Sequence, residues 1–269
     1  MSVLTLSEIY IYPIKSLGGI SLSSAQVGER GLQYDRRWML IDLEGTFLTQ
    51  RVLPEMALLG VELVDDGLWV SHRQKETTLL FVPFATPNTA PISVVVWDDT
   101  CQALPVSDEA DEWFSQALGK SCRLVYMPDD SVRRVDEKYV AEPLNVSLSD
   151  GYPLLIIGQA ALDHLNTQLT EALPMNRFRP NLVFTGGEPH EEDTWQNFRV
   201  GLVEFRGVKP CARCIVTTID QQTLKKGKEP LRTLATYRAH GNKILFGQNL
   251  ISLSSGTVQV GDAISVDGD

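Results

Sequence analysis

The sequence predicts a β-rich α+β protein with two parts, of which the first is barrel-like. Short apolar or alternating runs, separated by turn-forming residues, follow one another through residues 1–105, and many short strands of this kind are typical of a barrel or sandwich. The first clear helical pattern begins only at Ser107. Mixed strand and helix patterns then follow a polar stretch at residues 128–151. At roughly 150 residues per domain, a chain of 269 residues is long enough for two domains.

Each strand predicted in the first part is a short run in which apolar residues alternate or cluster. Gly18, Gly19, Gly31 and Gly45 interrupt the earliest runs, as turns between strands require. In chain order, the predicted strands are the runs around Leu4, Ile9 and Ile11, the run around Trp38, Leu40 and Ile41, and the runs Ala57–Val64, Leu68–Ser71, Leu79–Val82 and Ile92–Trp97.

One helix is defined by its end signals as well as by its apolar period. Ser107 is a suitable N-cap, acidic residues fill the first turns, and Gly119 is placed to end the helix. The apolar residues recur at helical spacing, which predicts a face packed on the core rather than a binding surface. This apolar face consists of Ala110, Trp113, Phe114, Ala117 and Leu118.

The second part is predicted to mix short strands with helices. Residues 128–151, ahead of it, are polar and rich in turn formers, which indicates a loop that joins two domains or lines a site. The predicted strands are Leu154–Ile157, Leu182–Phe184, Phe198–Phe205 and Ile215–Ile219, the predicted helices Ala160–Leu169 and Leu231–Arg238, and the predicted terminal hairpin Thr257–Val266. We expect two domains, at residues 1–120 and 121–269.

The charge of the chain argues against one class of partner. With 24 Lys and Arg against 34 Asp and Glu, the net charge is −10, whereas nucleic-acid binders usually carry a net basic face. A local cluster of Arg and Lys around one anionic ligand is still compatible with this balance. No apolar run approaches the ~20 residues of a membrane span, and the alternating N-terminus does not have the pattern of a signal peptide. Four unevenly spaced cysteines indicate a reducing compartment, so we predict a cytoplasmic protein without a nucleic-acid or membrane partner.

The segment KPCARC at residues 209–214 contains a C-x-x-C pair with three ordinary interpretations. A zinc site would need two further ligands, and the other cysteines form no second pair. A thioredoxin-like dithiol has its first cysteine at a helix N-terminus, whereas this pair precedes a predicted strand of β-branched residues. Two buried structural thiols are the third interpretation. Against it, Lys209 and Arg213 favour a thiolate, and a single thiolate at a strand mouth suits a soft, partly open metal site.

Two further segments could hold an anion, although each is weak evidence alone. In NRFRPN at residues 176–181, the two arginines offer planar forks to a phosphate or are solvated surface residues. In YPIKSLGG at residues 12–19, a Lys-Ser pair before two glycines can form an anion-holding turn, but the segment is no Walker loop. Arg36 beside Asp35 is equally well explained as a surface ion pair. No ligand spacing relates the four histidines, which are predicted to be non-catalytic: His72, His164, His190 and His240.

Taken together, the segments resemble one family. YPIKSLGG, GLQYDRRWMLID with LTQR, DGYPLLI, NRFRPNLV, EEDTW, KPCARCIVTTID, EPLRTL and FGQN followed by VGD are similar, in this order, to the MOSC-domain proteins that have an N-terminal β-barrel domain. That group contains the mitochondrial amidoxime-reducing component and bacterial proteins that reduce N-hydroxylated compounds. The resemblance covers nearly the whole chain. It implies an N-terminal β-barrel domain followed by a MOSC β-barrel domain with peripheral helices.

The resemblance implies a molybdenum cofactor, in which a molybdopterin holds the metal and one protein cysteine is a further ligand. In this chain Cys214 matches that ligand, and it is thereby implied as the catalytic residue. The positions that match cofactor-binding residues of the family are Lys15, Ser16, Arg36, Gly151, Tyr152, Arg179, Asn181, Ala212 and Arg213. No C-x₄-C-x₂-C spacing occurs, so no iron–sulfur cluster is expected in this chain. We also expect neither the membrane anchor nor the ferredoxin domain that some members of the family carry.

The function implied by the resemblance is an oxidoreductase that removes oxygen from the N–OH groups of amidoximes and N-hydroxylated bases. Two alternatives stay open: a sulfur carrier that acts through a cysteine persulfide, and a pyridoxal-phosphate-binding protein. The latter would need a Schiff-base lysine, for which Lys225, Lys226 and Lys228 are candidates. Because the sequence shows neither an iron–sulfur pattern nor a dinucleotide fingerprint, the reductase would need a separate electron donor, a ferredoxin-like, flavin or haem protein.

Overall fold

The computed structural model describes residues 3–267 and confirms the β-rich fold class, with many strands and few helices. Its first part consists of strands followed by one long helix. The elements are, in chain order, β1 (Thr5–Ile11), β2 (Ile20–Leu22), β3 (Ser24–Gly28), β4 (Gly31–Leu32), β5 (Trp38–Ile41), β6 (Leu59–Val64), β7 (Gly67–His72), β8 (Leu80–Pro83), β9 (Ile92–Val96), β10 (Asp99–Pro105), α1 (Asp108–Leu118) and β11 (Arg123–Tyr126).

The second part mixes strands with short helices, as the sequence predicts. Its elements are β12 (Leu154–Gly158), α2 (Gln159–Thr167), β13 (Leu182–Thr185), β14 (Asn197–Val200), β15 (Val203–Ala212), α3 (Leu231–Leu234), β16 (Ala239–His240), β17 (Lys243–Ser252), β18 (Gly256–Gln259) and β19 (Ile264–Val266). Short 3-10 helices lie at Pro54–Leu58, Met175–Arg177, Glu191–Thr194 and Ile215–Thr218.

The largest sheet has nine strands and joins the start of the chain to its second part. Its order is β19-β14-β15-β17-β12-β13-β1-β2, with β16 paired to β17. β1 pairs antiparallel with β13, where Ile9 lies opposite Leu182. Both residues are buried in the main apolar core together with Phe205 and Leu250. The turn that follows β1 is therefore held against strands of the second part.

Three smaller sheets, β5-β11-β10-β9, β6-β7-β8 and β18-β3-β4, complete the fold. The helix α1 forms as predicted. Ser107 Oγ accepts a hydrogen bond from the backbone N–H of Ala110 at 3.1 Å, and Gly119 ends the helix with φ of +63°. Phe114 is buried in the core of the first part. Local sequence signals alone are enough for this element.

Two predicted strand arrangements are wrong. The run Phe198–Phe205 forms a hairpin of β14 and β15 rather than one strand, because Gly201 turns the chain with φ of +57°. The last two strands do not pair with each other as a terminal hairpin: β18 pairs with β3, and β19 pairs with β14. The partners of these last strands lie far away in sequence, so no local pattern could identify them.

The residues after the cysteine pair do not form the predicted strand either. Ile215–Thr218 is a 3-10 helix, in which the hydroxyls of Thr217 and Thr218 donate to the carbonyls of Cys214 and Ile215 at 2.9 and 2.7 Å. Side-chain hydrogen bonds of this kind compete with strand pairing. The argument against a dithiol site that rested on a following strand is therefore wrong.

Other differences concern element boundaries. α3 ends at Leu234 instead of Arg238, and β6 begins at Leu59 because a 3-10 helix precedes it. The ten-residue strand β17 has no counterpart among the predicted strands. Its apolar pattern is interrupted at Gly247, whose φ is +78° and whose added Cβ would lie 2.7 Å from Ile157. Only glycine fits this close approach.

The polar stretch at residues 128–151 is a loop, as predicted. It is held by Arg133, which is buried. Arg133 Nη1 donates to the carbonyls of Ser147 and Ser149 at 2.8 and 2.7 Å, and Nη2 donates to the carbonyl of Asp150 at 2.8 Å. Its Nε also pairs with Asp99 at 2.9 Å. One buried guanidinium thus fixes the end of the loop ahead of β12.

Candidate functional site

One cleft brings together the three sequence segments that were weak evidence separately. It lies where the turn after β1, the end of the loop at residues 128–151 and the end of β15 meet. All of the predicted site residues line it: Lys15, Ser16, Arg36, Gly151, Tyr152, Arg179, Asn181, Ala212, Arg213 and Cys214. The structure places these residues together, and their roles toward a cofactor stay a prediction.

Lys15 is fixed in the cleft by the loop. Its side chain is buried, and Nζ donates to the Leu148 carbonyl at 2.8 Å and to Asp150 Oδ1 at 2.6 Å. Burial lowers the pKa of Lys15, and the Asp150 carboxylate opposes that shift. Desolvation in the cleft raises the pKa of the Asp150 carboxyl, but the charges of Lys15 and Arg51 outweigh it and hold this pKa below its usual range. The carboxylate is therefore ionised at neutral pH.

Three lining residues have a left-handed backbone. Ser16, Arg36 and Arg179 have φ values of +69°, +48° and +55°, a region that residues other than glycine rarely occupy. Such strain persists only where the surrounding structure imposes it, and it is concentrated at ligand sites. All three belong to the segments that the sequence singled out.

Arg36 and Asn181 connect the two sides of the cleft. Arg36 Nη1 donates to Asn181 Oδ1 at 3.1 Å and pairs with Asp35 Oδ2 at 2.5 Å. Asn181 Nδ2 donates to the Tyr10 carbonyl at 3.2 Å, and Oδ1 also accepts from the N–H of Leu155 at 3.2 Å. Asp35 is buried, so the pair is not the surface ion pair that the sequence allowed. Asn181 shapes the cleft by holding Arg36 and two strands.

Arg179 is a cation without an anionic partner. Its guanidinium lies 4.1 Å from the centre of the Tyr12 ring, and no side chain among residues 3–267 forms a hydrogen bond or ion pair with it. Burial lowers the pKa of Arg179 to about 10. A desolvated guanidinium is unfavourable without a counter-ion, and a phosphate oxygen pair would satisfy it.

Each cysteine of the pair lies beside a different arginine. Arg51 Nη2 is 3.2 Å from Cys214 Sγ, and Arg213 Nη1 is 3.0 Å from Cys211 Sγ. Both cysteines are half-buried, which does not fit the interpretation of two buried structural thiols. Each sulfur thus accepts a hydrogen bond from a guanidinium, and the sulfur of cysteine is a ligand that soft metals prefer.

Sequence reasoning did not single out Arg51, Trp97 or Asp150. The guanidinium of Arg51 lies 4.3 Å from the centre of the Trp97 ring and 4.0 Å from Asp150 Oδ2. Trp97 Nε1 donates to Asp150 Oδ1 at 3.2 Å. Arg51 and Asp150 belong to LTQR and DGYPLLI, two segments that carry the resemblance, and this signal could have identified them. No signal in the sequence identifies Trp97.

The cleft is positive although the protein is acidic. Among its described lining residues, Asp150 is the one carboxylate, and the cations are Lys15, Arg36, Arg51, Arg177, Arg179 and Arg213. Arg177 Nε and Arg213 Nε are buried and have no hydrogen-bond partner within the described part of the chain. The cleft can therefore bind a compact polyanion beside the sulfur of Cys214.

Three of the predicted residues that line the cleft are Tyr152, Gly151 and Ala212, which carry no charge. The Tyr152 ring lies 4.9 Å from Lys209 Nζ. Burial raises the pKa of its hydroxyl, which is buried and has no hydrogen-bond partner among residues 3–267. The neighbours that act on this hydroxyl, Asp136 and Tyr139, do not line the cleft, so Tyr152 contributes its position rather than its hydroxyl to the site.

The histidines and the lysines proposed as Schiff-base candidates do not line the cleft. None of the four histidines lines it. Lys225, Lys226 and Lys228 are exposed and line a separate groove. Residues 3–267 contain no group of three or more His, Cys, Asp and Glu side chains placed to hold a metal ion. In the same described range, no helix is long and apolar enough to cross a membrane.

Comparison with known proteins gives two consecutive domain matches. Residues 3–121 match the MOSC N-terminal beta barrel domain, and residues 143–265 match the MOSC domain. The chain is 34% identical to the mitochondrial amidoxime-reducing component 1 of Mus musculus, over 97% of this chain and 81% of that protein. It is 32% identical to the Homo sapiens protein of the same name, over 97% of this chain and 82% of that protein. A molybdenum cofactor sulfurase of Oryza sativa subsp. japonica is 31% identical over 92% of this chain but only 32% of its own length.

Proposed function

The chain belongs to the MOSC-domain family, with an N-terminal β-barrel domain ahead of the MOSC domain, and on this basis we propose that it is a molybdenum-cofactor-dependent oxidoreductase that reduces N-hydroxylated compounds such as amidoximes. The observation that carries the proposal is the meeting of Cys214 with Lys15 and five arginines in one cleft. The names of the relatives that match most of the chain support the reaction. The name of the sulfurase supports the cofactor.

The residues present fit such a cofactor. A molybdopterin carries a phosphate, and Arg179 has no counter-ion among the described residues while its guanidinium lines the cleft. The buried Nε atoms of Arg177 and Arg213 have free hydrogen-bonding capacity in the described structure. Molybdenum prefers a soft ligand, and Cys214 offers its sulfur half-exposed in the same cleft.

In the proposed mechanism the protein binds and orients the cofactor. Arg179, Arg213 and the Lys15-Ser16 turn would hold the phosphate and the pterin, and Cys214 would bind the metal. When bound, the molybdenum centre supplies the two-electron chemistry that takes oxygen from an N–OH group. Arg51 Nη2 donates to Cys214 Sγ at 3.2 Å and would hold this sulfur in position for the metal.

One side chain of the cleft keeps a fixed charge. Asp150 is ionised because Lys15 and Arg51 both face it and hold its pKa below the usual range. Lys15 Nζ is held in place by its hydrogen bonds to this carboxylate and to the Leu148 carbonyl. The cleft therefore offers the substrate the Asp150 carboxylate and, at the Cys214 sulfur, the Arg51 guanidinium, and polar N-hydroxylated groups can hydrogen-bond to either sign of charge.

The electrons would come from a separate protein, a ferredoxin-like, flavin or haem protein that docks near the cleft mouth. Weak electron-transfer encounters of this kind bury little surface, below about 1,200 Å². The four cysteines are all free in the structure, which suits the reducing cytoplasm that we propose as the compartment.

A sulfur carrier is the second candidate function, and one contact favours it. Arg51 beside Cys214 Sγ would stabilise a persulfide anion as well as a metal-bound thiolate. The chain, however, covers only about a third of the length of the sulfurase it resembles. Metal content separates the two functions, because a persulfide carrier needs no stoichiometric molybdenum.

The experiment is to purify the protein anaerobically from a host that makes the cofactor, to measure its molybdenum, and to assay benzamidoxime reduction with reduced viologen. We expect about one molybdenum per chain and formation of benzamidine. Protein without molybdenum that carries sulfane sulfur on Cys214 would instead establish the sulfur carrier.

A further inference from the structure

A tryptophan at the rim of the cleft has an unusual backbone. Trp97 lies in the tight turn between β9 and β10, where its φ is +59°. Its side chain is 41% exposed. Glycine or asparagine would occupy such a position without strain, and an exposed indole gains little from burial. Neither the backbone nor the core therefore explains a tryptophan at this turn.

The contacts of Trp97 connect it to Cys214. Its Nε1 is anchored on Asp150 Oδ1 at 3.2 Å, and the Arg51 guanidinium lies 4.3 Å from the centre of its ring. The Phe47 ring is 4.9 Å away at an angle of 60°. Arg51 in turn reaches Cys214 Sγ at 3.2 Å. An aromatic and cationic surface thus extends from the outside of the protein to the sulfur.

A shallow depression lies on the outer side of this surface. Its apolar lining consists of Phe47, Leu48, Val52, Leu53 and Trp97. Thr49 and Arg51 line both the depression and the cleft, so the two adjoin at these residues. Val52, which lines the depression, is 76% exposed, so apolar surface is available beside Arg51.

We propose that this rim, formed by Arg51, Trp97 and the depression beside them, is a substrate subsite for a planar, π-conjugated group. The inference rests on the function proposed above and adds the class of compound that the site prefers: aryl amidoximes and N-hydroxylated aromatic bases rather than saturated ones. A guanidinium is flat and weakly hydrated, and π-systems stack on it. Held by Trp97 and Asp150, Arg51 is pre-organised, so little conformational entropy is lost when a planar group binds.

The subsite is placed to aim the substrate. A ring resting on Arg51 would carry its N–OH substituent toward Cys214, since Arg51 itself ends 3.2 Å from that sulfur. Arg51 and Trp97 are thus specificity residues that act through stacking. Asp150 is a positioning residue because it holds both of them.

The test compares two ligands of nearly equal size, benzamidoxime and cyclohexanecarboxamidoxime, of which only the first has a π-system. Their dissociation constants are measured calorimetrically on the molybdenum-loaded protein without an electron donor, and their KM values with reduced viologen. We expect the aromatic ligand to bind roughly five- to tenfold more tightly, the size of a desolvated cation–π contact. Trp97→Gly and Arg51→Lys should reduce that ratio to about one, the former without loss of thermal stability because glycine suits its φ.

Trp69→Ala is the matched control, since Trp69 is also partly exposed and packs on one aromatic ring, Phe81, at 5.0 Å, but does not line the cleft. This variant should keep the wild-type ratio. A ratio near one in the wild type, or a ratio that survives both Trp97→Gly and Arg51→Lys, would overturn the subsite while amidoxime reduction continues. If no variant and no wild-type protein reduces either compound, the proposed function has failed instead.

Discussion

Arg213 Nη1 lies 3.0 Å from the sulfur of Cys211, two residues before it in the chain. The other cysteine, Cys214, has its own arginine, Arg51, which is 163 residues away in sequence and 3.2 Å away in space. The two sulfurs of the C-x-x-C pair therefore have separate partners and separate surroundings. A local contact holds the first, and a contact across the cleft holds the second.

This difference predicts unequal effects of substitution within the pair. Cys214→Ser should abolish both molybdenum retention and amidoxime reduction, because a hydroxyl is hard to ionise and is a poor ligand for a soft metal. Cys211→Ala should lower the rate only modestly, by about two- to fivefold, since it removes one hydrogen-bond acceptor of Arg213. Molybdenum per chain and kcat measured on both variants check this. Equal losses in the two would favour a dithiol or zinc site.

A second prediction concerns Arg179, the cation without a partner in the described structure. Arg179→Met should raise the melting temperature of cofactor-free protein, by about 2–4 °C, because it removes an uncompensated, partly desolvated charge. The same variant should retain far less molybdenum. Residues kept for binding at the expense of stability behave in this way.

The control for Arg179 is Arg199→Met. Arg199 forms an exposed ion pair with Glu204 at 2.7 Å, and neither residue lines the cleft. Its loss should leave the molybdenum content unchanged and the melting temperature nearly so. If Arg179→Met binds as much molybdenum as the wild type, the assignment of Arg179 to the phosphate is wrong.

A third prediction is a pH dependence of stability that arises from Glu192. This carboxyl is fully buried, its Oε1 accepts a hydrogen bond from the N–H of Gly158 at 3.2 Å, and Oε2 has no partner among residues 3–267. Burial raises the pKa of Glu192 from 4.5 to about 7. Between these values the unfolded chain has lost the proton while the folded protein keeps it, so the free energy of unfolding falls as the pH rises.

The size of this fall is on the order of 3 kcal/mol across the whole window. Glu192→Gln should remove it, because the amide cannot ionise. Urea unfolding at pH 5 and pH 8 measures the change, and Glu109→Gln, on the exposed side of α1, serves as the control. Burial also lowers the pKa of His190, to about 4, which makes stability rise with pH, so the test is the difference between Glu192→Gln and the wild type. A variant whose stability changes between the two pH values as the wild-type stability does would contradict the role of Glu192.

The fourth prediction concerns the source of electrons. The proposed reaction consumes two electrons per turnover, and the sequence shows neither an iron–sulfur cysteine pattern nor a dinucleotide-binding fingerprint. Molybdenum-loaded protein should therefore turn over an amidoxime with reduced viologen but not with NADH alone. Adding a ferredoxin-like, flavin or haem protein with its reductase should restore turnover with NADH. Sustained NADH turnover by the purified chain would disprove the need for a donor.

The sequence by itself determined the elements whose signals are local and three of the segments that meet in the cleft. α1 follows from Ser107, Gly119 and one apolar stripe, because capping and helical periodicity involve neighbours in the chain. The segments containing Lys15, Arg179 and Cys214 were identified by residue type and order, although none of them was sufficient alone.

The tertiary structure alone decided what depends on contacts between distant residues. The 3-10 helix at Ile215–Thr218 and the separate partners of β18 and β19 depend on hydrogen bonds that a local pattern of apolar residues does not encode. Arg51 contacts Cys214, and Trp97 contacts Arg51 and Asp150, because the turn between β9 and β10 lies against the end of the loop that Arg133 holds. Strand pairing and cleft walls are set by burial of the whole chain, so their partners could be known only from the assembled fold.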